Sequence, residues 1–307
     1  MYDVLIVGGG PAGLTAAIYA LRARKSVLLF EKLGPGGQVA LTNKIENYPG
    51  FESISGPDLA MKMFDQAEKL GMEVVFADVT NYELEGDVKK IITPEGVYEG
   101  RAIVLALGAT ARQLDLQSER EFAGRGVSYC ATCDGNFYKD KIVAVVGGGN
   151  SSLSAVLYLA NIAKKVYLVH RRDTFNAEAV QVQKMYSLTE GENAKVTFLP
   201  DSVIKDLEGN GKVEKMIIEN QKTKEISEFA IDGVFVAIGR RPDTGFLNGK
   251  INLDKGGQII TDENMQTNVA GVYAAGDVRS GSLKQIVTAC SDGAIAASRI
   301  IAYLNKR

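Results

Sequence analysis

The chain is short of the residues on which several chemistries depend. It has one histidine, His170, and three cysteines, Cys130, Cys133 and Cys290. A zinc site needs about four ligands. Three Cys, one His and no second pair argue against one, so no metal is expected. With three cysteines, one of them unpaired, the chain fits a reducing compartment, and a cytoplasmic location is expected. Met1-Tyr2-Asp3-Val4 has no signal-peptide flanks and starts directly on strand-like residues. The net charge is -2 and there is no Lys/Arg block, so nothing favours nucleic acid as a partner. No apolar run approaches the roughly 18 residues of a membrane span, and no membrane association is expected.

What remains is an ordinary globular composition rich in glycine. The 307 residues allow one large domain or two of common size. Hydrophobic residues at 46% and charged residues at 23% are enough to build and to solvate such cores. The 33 glycines point to several tight turns, and the first of these is informative. Tyr2 to Val7 reads as a buried parallel strand, Gly8-Gly9-Gly10-Pro11-Ala12-Gly13 follows at once, and Leu14 to Ala23 reads as a helix. In this G-x-G-x-x-G, Gly8 permits the tight turn, Gly10 lets the backbone approach a pyrophosphate, and Gly13 lets helix and strand pack closely. The free N–H groups of the helix start favour an anion. Ser26 to Phe30 is the next strand and Glu31 closes it, where a carboxylate suits a ribose diol. This half reads as a dinucleotide site.

Further on, Met61 to Leu70 reads as a helix and Glu73 to Phe76, with Ala77-Asp78-Val79, as a strand. Ala102 to Leu107 is a buried strand ending at Gly108-Ala109, a small-residue turn where ligands of open α/β sheets lie. Then the pattern restarts: Lys141 to Val146 is a strand, Gly147-Gly148-Gly149-Asn150-Ser151-Ser152 a loop, Leu153 to Ala163 a helix and Lys165 to Val169 a strand. The offset is 147 − 8 = 139, which sets Gly149 on Gly10, Ser152 on Gly13 and His170 on Glu31. Where copy one ends in an acid, copy two ends in His170-Arg171-Arg172. An acid repels a 2′-phosphate and an Arg pair attracts one, so copy one reads as an FAD or NAD site and copy two as an NADPH site. Arg171 and Arg172 also read as a solvated strand end. Residues 251 to 275 return to strand character and end at Gly276-Asp277, and Lys284-Gln285-Ile286 starts a last helix running to about Tyr303. Cys290 in that helix reads as a small buried apolar residue.

Between the copies stands Cys130-Ala131-Thr132-Cys133-Asp134. Two thiols this close can close into a disulfide and reopen, and Asp134 is placed to exchange a proton as they cycle. A purely structural pair is the alternative. His170 suits a nucleotide better than catalysis, which leaves Asp134 as the nearest acid.

Taken together, Gly8 to Gly13, Gly36-Gly37-Gln38, Asn47 to Phe51, Cys130 to Asp134, Gly147 to Ser151, His170-Arg171-Arg172, Gly276-Asp277 and Gln285 resemble the low-molecular-weight thioredoxin reductases, end to end. The resemblance implies an α/β protein of two Rossmann-like three-layer domains, the second inserted into the first: 1–114 with 245–307 for FAD, and 115–244 carrying the thiol pair. It implies an FAD site of Gly8, Gly10, Pro11, Ala12, Gly13, Glu31, Lys32, Gly36, Gly37, Gln38, Asn47, Val79, Ala106, Gly108, Gly276, Asp277, Lys284, Gln285 and Ile286. An NADPH site would use Gly147, Gly149, Asn150, Ser151, His170, Arg171 and Arg172. Cys133 would meet the flavin, Cys130 would attack the thioredoxin disulfide and Asp134 would be the acid, in a homodimer whose domains rotate at hinges near 111–117 and 239–243.

The departures fall in copy two alone. Ser152 stands for the family's Ala, Leu153, Ser154 and Ala155 stand where a pair of Glu is usual, and Asn176 replaces a third Arg. One Arg–phosphate contact contributes about 1.5–3 kcal/mol, roughly 10- to 150-fold in affinity. That pattern is similar to the ferredoxin-linked flavoprotein thioredoxin reductases, so reduced ferredoxin is the expected donor and NADPH the alternative. A dithiol oxidase using oxygen, and a flavin-binding protein with an idle thiol pair, are the other readings.

Overall fold

A computed structural model of the chain describes residues 1–42, 44–191, 194–247 and 249–306. The chain divides into two compact units, Met1–Thr110 with Arg241–Arg307, and Ala111–Arg240. It passes between them at 110/111 and 240/241, where the sequence reading placed the boundaries at 114/115 and 244/245.

In the first unit β1 (Tyr2–Val7), α1 (Pro11–Arg22) and β2 (Val27–Glu31) open the fold. Next come α2 (Gly56–Lys69), β3 (Glu73–Phe76), β4 (Asn81–Glu83), β5 (Lys89–Thr93) and β6 (Gly96–Leu105). Their sheet has the order β3-β2-β1-β6-β5-β4. β1 runs parallel to β2, with Val4 opposite Val27, and parallel to β6, with Val4 opposite Ala102. From Val4 to Val7 the strand is apolar and buried because both faces are covered. Val4 and Ile6 pack with α1 residues Leu14, Ala17 and Ala20, whereas Leu5 and Val7 join Phe30, Tyr82, Ile91 and Leu247 on the other face. α2 starts where the Ser55 Oγ accepts the Asp58 N–H at 3.1 Å, with Asp58 in its first turn and Lys69 in its last, as the helix dipole favours.

After β7 (Thr110–Ala111) the second unit builds α3 (Gln117–Glu121), β8 (Val127–Ser128), α4 (Ala131–Asp134), β9 (Ile142–Val146), α5 (Asn150–Leu159) and β10 (Lys165–Val169). It continues with α6 (Ala179–Ser187), β11 (Val196–Leu199), the antiparallel β12 (Ser202–Glu208), β13 (Lys215–Asn220) and β14 (Ile226–Ala230), and β15 (Gly233–Val236). Its parallel sheet has the order β11-β10-β9-β15-β8. The stretch β2-β1-β6 of the first sheet thus recurs as β10-β9-β15, so the repeat seen in sequence is a repeat of fold. The chain ends with β16 (Arg240–Arg241), β17 (Val272–Ala274), which lies parallel to β6, and α7 (Ile286–Asn305).

The structure corrects several readings. Residues 251–275 are not a run of strand: only Val272–Ala274 is, joined by isolated bridges such as Leu253 to Ile259 and Gln266 to Tyr273. Carboxylates take the N–H groups a ladder would need. Asp254 Oδ1 accepts from Gly256 and Gln258, and Asp262 Oδ1 accepts from Asn264 and Gln266, at 2.8–2.9 Å. Ala77 to Val79 lie past the end of β3. α6 went unread because it buries only Met185 and so carries little apolar stripe. α7 has 20 residues and a mean hydropathy of 1.2 over its best 18, long and apolar enough to cross a membrane, contrary to the expectation of no such run. Here one face of it is buried against the first unit: Gly293, Ala296, Ala297, Ile300 and Leu304 are buried, and a Cβ on Gly293 would stand 2.2 Å from the Ala12 carbonyl oxygen of α1.

Candidate active site

The Gly8–Gly13 turn joins β1 to α1. Gly8 has φ +107, and a Cβ there would meet the Ala106 carbonyl oxygen at 2.2 Å. A Cβ on Gly13 would lie 1.9 Å from the Gly8 carbonyl oxygen. Gly10 differs: the space its Cβ would take holds nothing nearer than the Gly36 oxygen at 4.0 Å. It caps α1 with no side chain bonded to the first-turn N–H groups, and Pro11 follows. An open cradle at an uncapped helix start is the arrangement that binds a pyrophosphate. Glu31 reaches back over the turn. Its Oε2 accepts the Gly9 N–H at 2.7 Å and its Oε1 the Leu33 N–H at 2.9 Å, which fixes the carboxylate at the end of β2.

Other expected residues converge here. Gly36, at φ +101, donates its N–H to the Gly9 carbonyl at 2.7 Å, and a Cβ on Gly37 would be 3.6 Å from the Gly10 Cα. A Cβ on Gly276 would stand 3.0 Å from the Ala12 Cβ. Asn47 Nδ2 donates to Gln285 Oε1 at 3.2 Å, and Gln285 caps α7 one residue before Ile286. Lys284 Nζ donates to the Asp277 carbonyl at 3.3 Å. Gln38 lies exposed in the short 3₁₀ turn after Gly37. Lys32 and Val79 stand further out: Lys32 pairs with Asp78 at 2.7 Å, both side chains well exposed, and Val79 follows. Gly108, φ +65, has open space where a Cβ would go.

Sequence reasoning missed what holds the 276–278 turn. Asp292 is 6% exposed, and its Oδ2 accepts the Gly276 N–H at 3.1 Å and the Arg279 Nε–H at 3.0 Å. Arg279 Nη2 donates to the other oxygen at 3.2 Å, giving a bidentate pair. An acid in the middle of an apolar helix, six residues before another polar side chain, was the available signal. Cys290, read as buried and apolar, is half-buried, with its Sγ 3.8 Å from the Tyr48 hydroxyl. Burial and that thiol push Tyr48 up to about 12.

In the second unit Cys130 and Cys133 form a disulfide, Cα to Cα 5.3 Å, at the start of α4. Both are half-buried. Cys130 is the residue before the helix, and its carbonyl accepts the Asp134 N–H at 3.1 Å. Gly135 lets the turn sit on α5, since a Cβ there would be 2.8 Å from the Tyr158 ring. The Asp134 Oδ2 accepts the Ser128 hydroxyl at 2.6 Å. Burial raises the Asp134 carboxyl above its ordinary range, and the Ser128 bond opposes that. Behind Cys130, fully buried Glu119 accepts the Tyr129 hydroxyl at 3.1 Å and the Leu114 N–H at 2.8 Å. Ser128 and Glu119 carried no signal in sequence.

The second Gly-rich turn repeats the first with substitutions. Gly147 has φ +142, and a Cβ there would be 2.4 Å from the Ala237 carbonyl oxygen. Gly149 caps α5 without a side chain, and Asn150 Oδ1 accepts the Glu178 N–H at 2.7 Å. Ser151 is exposed, and buried Ser152 satisfies itself by donating to the Gly149 carbonyl at 2.8 Å. The His170 ring lies over Gly148 as Glu31 lies over Gly9: a Cβ on Gly148 would be 2.1 Å from His170 Nε2. Burial lowers the His170 pKa, the bond to the Thr174 carbonyl opposes it, and the nearby Arg171 and Arg172 push it down further. Arg171 and Arg172 are exposed and form no ion pair among the described residues. Asn176 donates its backbone N–H to the Gly148 carbonyl at 2.8 Å.

The chain matches the family model described as pyridine nucleotide-disulphide oxidoreductase over residues 2–293. It is 44% identical over 308 residues to a thioredoxin reductase of Bacillus subtilis, covering 100% of this chain and 96% of that one. It is 42% identical over 311 residues to a thioredoxin reductase of Peptoclostridium acidaminophilum, covering 99% and 97%. The crystal structure of thioredoxin reductase from Streptococcus pyogenes superposes with a TM-score of 0.92 at 44% identity, over 100% of this chain and 99% of that one. The chain therefore belongs to the pyridine nucleotide-disulphide oxidoreductases and, within them, to the low-molecular-weight thioredoxin reductase family.

Proposed function

We propose that this protein reduces the disulfide of a thioredoxin, with the first unit holding FAD, the second carrying the working thiols, and reduced ferredoxin as electron donor. The chain is an oxidoreductase of disulfides whose cofactor is FAD. What carries the reading is the Cys130–Cys133 disulfide with a half-buried, hydrogen-bonded Asp134 beside it, on a chain that also has an open dinucleotide cradle at Gly10. The cradle residues Gly8 to Gly13, Glu31, Gly36, Gly276 and Gln285 would hold FAD, and bound FAD supplies the electron pair that reopens the Cys130–Cys133 bond.

The thiol steps follow from exchange chemistry. The Cys130 thiolate attacks one sulfur of the thioredoxin disulfide, and the other thioredoxin sulfur leaves as thiolate. The Cys133 thiolate then attacks the Cys130 sulfur, re-forms the 130–133 bond and frees the second thioredoxin sulfur. Two electrons reach thioredoxin, whose two thiolates take up the two protons given by the Cys pair. Asp134 holds or passes one of these protons. A cytoplasmic homodimer is part of the same reading.

Ferredoxin as donor rests on Asn176, whose backbone fastens the second turn but whose side chain offers no cation for a 2′-phosphate. A second reading, NADPH as donor, rests on Arg171 and Arg172 beside that turn, exposed and in no ion pair among the described residues. Anaerobic mixing separates them. Reduced ferredoxin is expected to bleach the flavin band within a turnover and NADPH to leave it unchanged. Rapid bleaching at micromolar NADPH establishes the second reading instead.

A further inference from the structure

Ser128 lies at the end of β8 and is 5% exposed. Its hydroxyl has one hydrogen to donate and two lone pairs. It accepts the Cys130 N–H at 3.1 Å, donates to Asp134 Oδ2 at 2.6 Å, and has the Cys130 carbonyl oxygen within reach at 3.4 Å. One buried hydroxyl is thus tied both to the backbone of the first cysteine and to the acid beside the second. We propose that Ser128 is a positioning residue that turns its O–H from the Asp134 carboxylate to the Cys130 carbonyl, and back, each time Asp134 takes up and releases a proton.

The two settings balance. With Asp134 ionised, Ser128 donates to Oδ2. With Asp134 protonated, the carboxylic acid donates to Ser128 Oγ, and the Ser128 hydrogen turns to the Cys130 carbonyl. No proton leaves Ser128, the Cys130 N–H bond persists in both settings, and no buried polar atom is stranded, which would be costly. The settings are unequal. The 2.6 Å bond to a carboxylate is the stronger one, and the Cys130 carbonyl already accepts the Asp134 N–H. Ser128 therefore biases Asp134 toward releasing its proton, against the effect of burial. Among the described residues no cation shifts this acid: burial and the Ser128 bond are what act on it. Tyr138 is on the following turn, Tyr158 lies on α5 behind Gly135, and Asp232, ahead of β15, acts on Tyr138. Ser128 is thus the neighbour that favours the carboxylate, while burial favours the acid.

This inference rests on Asp134 being the proton carrier, and the test separates the two. The holoenzyme is reduced photochemically, so that the natural donor does not matter, and mixed with oxidised thioredoxin in a single turnover across pH. In Ser128→Ala the rate at neutral pH is expected to fall about tenfold, the scale of one charge-assisted hydrogen bond. The limb assigned to Asp134 moves to higher pH. Ser128→Thr restores the parent midpoint, and Ser128→Val, of the same shape without the hydroxyl, does not. Should Ser128→Ala lose its thermal transition, the Thr and Val pair decides alone. Coincident midpoints for Thr and Val overturn the proposal. If Asp134→Asn keeps the limb, the assignment of Asp134 itself fails, whatever Ser128 does.

Discussion

At the scale of single residues, Asp134 links stability to pH in a definite direction. Burial raises its carboxyl above the usual aspartate value of 3.8. A carboxyl raised in the folded state binds more protons folded than unfolded between the two values, so stability falls as pH rises through that window and stays lower above it. Below 3.8 both states are protonated and the deficit vanishes. Asp134→Asn is therefore expected to raise the urea midpoint at pH 7 and to leave it unchanged near pH 3, even though it removes the proposed proton carrier. A lower midpoint at pH 7 would show that the Ser128 bond, not burial, dominates. Cys130→Ser should abolish thioredoxin reduction while flavin content, read from the visible spectrum, stays at the parent level. What sequence could show at this scale was the chemistry carried by identity and spacing: Cys130 with Cys133, Gly8 with Gly10 and Gly13, Glu31. Ser128 and Glu119 were illegible, because a serine or an acid acquires its role only from partners brought in by the fold, six and ten residues away along the chain, whereas Asp292 was marked only as an acid in an apolar helix.

Among the elements, α1 and α7 matter most for the cradle. They meet at Gly293, where a methyl would press on the Ala12 carbonyl. Gly293→Ala should cost about 1–3 kcal/mol, the usual price of overpacking, and weaken FAD retention through displacement of α1. Thermal unfolding and flavin release on dilution would show both. Asp292→Ala leaves the largely enclosed Arg279, its side chain 15% exposed, without its carboxylate and should cost about 3–5 kcal/mol. Its effect on flavin retention should exceed that of Gly293→Ala, because the Gly276 N–H loses its acceptor as well. Strong periodicity made the parallel strands legible, as β10 shows, read and found at Lys165–Val169. Where side chains capture backbone donors, as Asp254 and Asp262 do, apolar alternation misleads, and the strand expected over 251–275 shrinks to Val272–Ala274.

For the molecule as a whole, binding energy should be distributed unequally. Any ligand that binds only the folded state stabilises it, by about 2.7 kcal/mol at a hundred times its dissociation constant. FAD added to the flavin-stripped protein at that ratio should raise the calorimetric transition of the unit that holds it. Hydrogen exchange should slow at Gly8–Gly13 and 276–278 before it slows at β9 or β10. An unmoved transition would mean that the Gly10 cradle does not carry the flavin. The repeat, an offset of 139 residues, made the duplication of fold visible in advance, because both copies need the same glycines for the same steric reasons.

The inserted unit also imposes an order on synthesis. α1 leaves the ribosome almost at once, but β17 and α7, which complete its surroundings, are the last elements made. All 130 residues of 111–240 come between, a delay on the order of ten seconds at the usual rate of synthesis. Through that interval the part of α1 near Ala12 and Ala16, against which Gly293 of α7 packs, lacks its cover, and at its end the thiol-bearing unit is whole. Ribosome-bound chains halted before residue 272 should thus carry a structured second unit and a first unit that chaperones still recognise and flavin does not.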